Sequence, residues 1–187
     1  MAYKDKDDRI TFSWYTEELF DSISIESLYN HRNTVDKDNV SQVDRLAITR
    51  DEYDFFLLHL NDCMVSLFED FAKMTRVVDS SLFVNATKPD LADSSKQGLQ
   101  CGFSVVRYAG ADSKSVYNAN RLPIVEATAR RIIFNYVLLE WAKTNKHADE
   151  ITVRTENLKA ARRALVDNLF ELKKPLYGKS YAAAPNP

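Results

Sequence analysis

TRDEYDFFLLHLNDCMVSLFEDFAKMT, residues Thr49–Thr75, decides the architecture of this chain. Thr49-Arg50-Asp51-Glu52 has the form of a capping box, in which the Thr and the Glu satisfy one another's backbone donors. Behind it Tyr53, Phe56, Leu57, Leu60, Met64, Leu67, Phe68 and Phe71 recur at steps of three and four. That spacing predicts one broad apolar face on a helix of about seven turns. Leu58, Val65 and Met74 widen the face, enough for it to contact two neighbours at once.

Downstream, Val77–Val84 and Leu99–Tyr108 read as strands. The second alternates, with Leu99, Cys101, Phe103 and Val105 on one side and Gln100, Gly102 and Ser104 on the other. A polar stretch, 85–98, joins them. A two-stranded ribbon is marginal alone in water, so it must pack on helices or gain strands from another molecule.

A third helix is predicted from Asn120 or Leu122, with Pro123 in its first turn where a missing N–H costs nothing. Val125, Ala129, Ile132, Ile133, Tyr136, Val137 and Leu139 make its buried face, and Trp141 lies near its end. After the polar turn TNKHAD, Ile151, Leu158, Ala161, Leu165, Leu169 and Leu172 form the seam of a fourth helix. Arg154, Lys159, Arg162 and Arg163 are read as lying outside that seam. So short a turn pairs the two helices antiparallel, and Pro175 ends the second of them.

Upstream, residues 11–31 hold a first helix capped by Thr16, with Leu19, Phe20, Ile23 and Leu28 as a narrow stripe. Residues 30–44 carry no period. The expectation is one mainly α-helical domain, an antiparallel helical bundle with a small β-ribbon at 77–108 between the second and third long helices. The core spans 49–174, with an N-terminal helix and arm at 1–48 and a tail at 175–187.

Composition is that of a globular protein: 187 residues, 45% hydrophobic, 28% charged and four glycines. No apolar run spans a bilayer, and MAYKDKDDRITF lacks the apolar centre of a signal peptide, which predicts a reducing cytosol and no membrane. Cys63 and Cys101 then read as unpaired thiols. Charge is unevenly placed. Residues 1–70 hold sixteen acids against seven bases, a net of about −9, although the whole chain carries only −2. Either the two halves pack on each other, or copies stack with acidic face against basic face.

No catalytic constellation is legible. His59 and Cys63 are four apart on one helix, but a zinc site wants four ligands at characteristic spacings and no second pair exists. His31 and His147 fall in loops. Cys101 alternates into the apolar side of its strand, which argues for packing rather than nucleophilic use. Neither G-x-S-x-G, nor a Walker loop, nor a dinucleotide fingerprint is present. The reading is therefore of a non-enzyme without cofactor, and of surfaces rather than an active centre. Arg154, Lys159, Arg162, Arg163, Lys173, Lys174, Tyr177 and Tyr181 are the candidate contacts to other subunits or partners. Arg130, Arg131, Arg154, Lys159, Arg162, Arg163, Lys173, Lys174 and Lys179 could line a basic face suited to phosphate.

The stretch RLPIVEATARRIIFNYVLLEWAKTNKHADEITVRTENLKAARRALVDNLFELKKP (121–175) resembles the C-terminal helix pair of short proteins encoded in the virion-building regions of bacteriophages and prophages of Bacteroidales. DRLAITRDEYDFF (44–56) resembles the entry to their long helix. More distantly, the arrangement is similar to the helical adaptors that dock beneath a phage portal and link head to tail in rings. This chain is longer and adds an N-terminal region, a ribbon and a tail. The resemblance implies a structural protein of the virion, assembled in the host bacterial cytoplasm as a homo-oligomeric ring and contacting portal and tail proteins and packaged DNA. A tail terminator or tail-completion protein is the alternative within the particle. A small helical nucleic-acid-binding regulator is the alternative of another class.

Overall fold

The computed structural model describes residues 2–4, 9–31, 46–75, 77–87, 98–107 and 119–173. In chain order these are strands β1 (Ala2–Lys4) and β2 (Arg9–Tyr15), helices α1 (Thr16–His31) and α2 (Tyr53–Thr75), strands β3 (Val77–Thr87) and β4 (Leu99–Arg107), and helices α3 (Leu122–Thr144) and α4 (Ala148–Lys173). The fold is mainly helical with a small antiparallel sheet.

The sheet corrects the expected ribbon. Among the described residues it has four strands in the order β1-β2-β4-β3, so the two central strands lie some ninety residues apart in the chain. Phe12 lies opposite Phe103, and Trp14 opposite Cys101. Ile10, Phe12, Trp14, Cys101, Phe103 and Val105 are all buried on one face. There Phe71 of α2 sits 4.9 Å from the Phe12 ring and 4.8 Å from the Phe103 ring. The strands that the β3–β4 pair needs are supplied by the chain's own N-terminus.

Residues 11–15 are accordingly strand, not helix, and the N-terminal segment is no arm over the part described. Leu19, Phe20 and Ile23 of α1 are buried, with Phe20 edge-on to Tyr53 and Phe56 at 5.0 and 5.3 Å. Leu46–Ile48 are buried as well. The Ser24 hydroxyl donates to the Ile48 carbonyl, and the Ile48 N–H donates to Ser27 Oγ, at 2.7 and 2.8 Å. The Trp141 indole donates to the Leu46 carbonyl at 2.5 Å. The tail beyond Lys173 lies outside the described residues.

Helix α2 begins as its sequence dictates. The Glu52 carboxylate accepts the Thr49 N–H at 2.7 Å, and a short 3-10 turn at Arg50–Glu52 leads into the helix. Its buried face carries Phe56, Leu60, Cys63, Met64, Leu67 and Phe71. Leu58 and Val65 do not widen that face: they are 59% and 38% exposed. At 100° per residue they fall opposite Cys63 and Leu67, among acidic neighbours. The side chain of Met74 lies outside the described residues.

Helices α3 and α4 run back along one another from the turn at Asn145–His147. Asn168 donates to Thr128 at 3.3 Å, and Arg121 reaches Glu171 at 3.9 Å. Ala161, Leu165, Leu169 and Leu172 are buried in the seam, with Leu158 packed against it. Arg162 of α4 ties to α2 through Asp70 and Ser66, both at 2.7 Å.

Candidate functional site

Polar chemistry concentrates where α1 meets α3 and α4. Arg154 is only 7% exposed, and the expectation that it lies outside the seam does not hold. One of its terminal nitrogens donates to Glu26 at 2.7 Å and to Asn135 at 3.4 Å. Its Nε donates to Glu150 at 3.3 Å. Glu150 also meets His31 Nε2 at 3.0 Å. His31 ends α1 as a buried residue rather than sitting in a loop, with the His147 ring 5.2 Å away. Burial holds the His31 imidazole below its ordinary pKa, which Glu150 opposes and His147 and Arg154 reinforce. A buried guanidinium needs such company, because an unpaired charge removed from water is costly.

Beside this cluster a cleft of about 550 Å³ opens between α3 and α4. It is lined by the small side chains of Ala127, Ala160 and Ala161 and by Arg130, Arg131, Phe134 and Asn157, with Glu26, Asn135 and Arg154 also contributing. Its size is that of a cleft able to seat side chains or a small ligand. Arg130 stacks 5.3 Å over the Phe134 ring and reaches Ser22 at 3.3 Å. The exposed Arg131 guanidinium has no ion pair or hydrogen bond among the described residues. Three guanidiniums thus face one carboxylate, Glu26, which is already bonded to Arg154.

A second charged surface lies on α2. Asp54, Leu58, Asn61, Asp62, Val65 and Glu69 are all exposed, and their spacing places them within one arc of the helix. No α2 residue lines the cleft.

The other candidate contacts divide. Lys159 is exposed and paired with Glu156 at 2.8 Å, whose carboxyl it holds below the usual range. Arg162 is committed to Asp70, and Arg163 is exposed. The side chain of Lys173, and Lys174, Tyr177 and Tyr181, lie outside the described residues. Of the arginines first singled out, only Arg154 lines the cleft; Arg130 and Arg131 stand with it.

The thiols are buried. Desolvation pushes Cys101 up to about 12 and Cys63 well above the ordinary thiol range. His59 packs on Phe55, ring to ring at 4.3 Å. Among the described residues no group of three or more His, Cys, Asp or Glu could hold a metal ion, and no helix is long and apolar enough to cross a membrane.

Comparison with known protein families, characterised proteins and solved structures returns no match.

Proposed function

We propose that this chain is a non-enzymatic structural subunit of a bacteriophage virion, and most specifically a ring-forming head–tail connector. On this reading the chain is one domain, an antiparallel helical bundle with the β3–β4 ribbon inserted between α2 and α3, and its partners are copies of itself, portal and tail proteins.

The observation that carries the assembly part is charge left open on two separate surfaces. Part of the uneven charge is absorbed within the chain, through Glu26–Arg154 and Asp70–Arg162. Asp54 and Asp62 on α2, and Arg131 in the cleft, have no ion pair among the described residues and remain for something outside the chain. Distinct, complementary faces on one copy make head-to-tail contacts, and such contacts close into rings when the rotation allows. The virion part rests on the resemblance of residues 44–56 and 121–175.

The test is the solution mass of purified protein by light scattering, across concentration and ionic strength. A discrete multimer that weakens with salt is expected; a monomer at every concentration counts against the proposal. The unpaired Arg131 guanidinium also favours a second reading, a nucleic-acid-binding regulator that takes phosphate in the cleft. Salt-sensitive DNA binding by a monomer distinguishes it.

A further inference from the structure

We infer that the cleft between α3 and α4 receives the acidic outer stripe of α2 from a second copy of this chain. The inference rests on the assembly reading above and names its contact.

The chemistry of the two surfaces is complementary in kind. Along α2, acids and exposed apolar residues alternate at helical spacing: Asp54, Leu58, Asp62, Val65. Leu58 and Val65 stand two turns apart, about 10 Å, on an otherwise polar and acidic face. Such residues gain by leaving water. The cleft offers the matching chemistry, with three alanines and the Arg130 and Arg131 guanidiniums among its lining. An amphipathic helix laid there sets its small apolar ridge on the alanines and its carboxylates against guanidiniums. Asp54 and Asp62 have no ion-pair partner among the described residues, and neither has Arg131. Docking through Asp54, Asp62 and Arg131 therefore breaks no ion pair among the described residues. Because α2 contributes nothing to the cleft, one copy presents both halves of the contact at once, and the chain of contacts propagates.

Charge reversal tests this directly. Asp54→Lys with Asp62→Lys reverses the stripe, and Arg130→Glu with Arg131→Glu reverses the cleft. Arg131→Glu alone serves if the double variant does not fold, since Arg130 also touches Ser22 and Phe134. Each variant is checked for native circular dichroism and then weighed by sedimentation in low salt. Self-association at least tenfold weaker is expected for each alone, with assembly recovered when the two are mixed in equal amounts. Only a contact joining these two surfaces predicts that recovery. Wild-type protein that assembles while both reversals assemble equally well overturns this contact and leaves the assembly reading standing. Wild-type protein that stays monomeric overturns both. Duplex DNA bound by wild-type protein and lost in the cleft variant, with assembly unchanged, assigns the cleft to phosphate and overturns the inference.

Discussion

Arg154 of α4 and Glu26 of α1 meet at 2.7 Å although they lie 128 residues apart in sequence. The same guanidinium holds Glu150, so one side chain secures the end of α1 against the helix pair. Arg154→Ala leaves Glu150, whose side chain is 12% exposed, with His31 and Asn30 as its remaining partners among the described residues. A loss of about 2–4 kcal/mol is expected in urea unfolding, below the full penalty of a broken buried pair because Glu26 keeps much of its water.

His31 gives stability a pH dependence of known sign. Its folded-state pKa lies below the ordinary value of 6.5, so the unfolded chain binds the proton more readily. The contribution is complete above about pH 6.5 and is lost as pH falls toward the folded value, at no more than about 1.4 kcal/mol per pH unit for one proton. Urea midpoints measured between pH 7.5 and 5 should fall, and His31→Gln should flatten that decline. An equal decline in the variant would assign it to other groups.

Cys63 and Cys101 should resist alkylation in native protein. Burial withholds the thiolate from both, and it is the thiolate that reacts. Mass spectrometry after iodoacetamide treatment at pH 8 should find both unmodified, and both labelled once urea passes the unfolding midpoint. Labelling of either at native rates would contradict the packing of the sheet on α2.

Gly102 is fixed by its neighbour across the sheet. A Cβ there would lie 2.0 Å from the Phe12 carbonyl oxygen and 2.9 Å from Ser13 Cα. Backbone cannot yield as a flexible side chain does, so Gly102→Ala should cost at least about 2 kcal/mol or prevent soluble expression. Gly98→Ala, whose added methyl meets only the Tyr15 ring at 3.1 Å, is the milder control.

Deleting residues 1–15 should abolish folding, not assembly alone. It removes Ile10, Phe12 and Trp14 from the core and strips a partner from β4. The Trp14 indole also donates to Glu126 of α3 at 2.7 Å. Loss of cooperative thermal unfolding is the outcome to look for; a folded truncated chain would return this segment to the status of an arm.

The long helices were legible because local signals and burial agree in them. Thr49 and Glu52 mark an entry, Pro123 marks another, and the three-and-four spacing of Phe56 to Phe71 is unmistakable. Strand β2 was not read because Ile10, Phe12 and Trp14 alternate for only five residues before passing into α1 without a glycine or proline. Its partner lies some ninety residues away, which no local pattern reveals. Arg154 misled for a different reason. It falls in the register of Leu158, Ala161 and Leu165, but a charged residue is ordinarily read as solvent-facing whatever its spacing. The cleft depends on three alanines from two helices, and small residues carry no signal until both helices are placed. Leu58 and Val65 were counted with the core because they are apolar, although the helical angle already set them beside Asp54 and Asp62.

The place of β2 in the sheet also sets the order in which this protein can form. Thr11 hydrogen-bonds Ser104 at 2.8 Å across 93 residues of chain, so β2, which pairs on its other side with only the three residues of β1, has its long partner only once β4 has left the ribosome. Until then the apolar face of Ile10, Phe12 and Trp14 lacks its β4 neighbours, and α3 and α4 are not yet made. Long-range pairing of this kind slows folding and exposes sticky intermediates. The sheet is small, but its closure must wait for a pairing made across some ninety residues of chain.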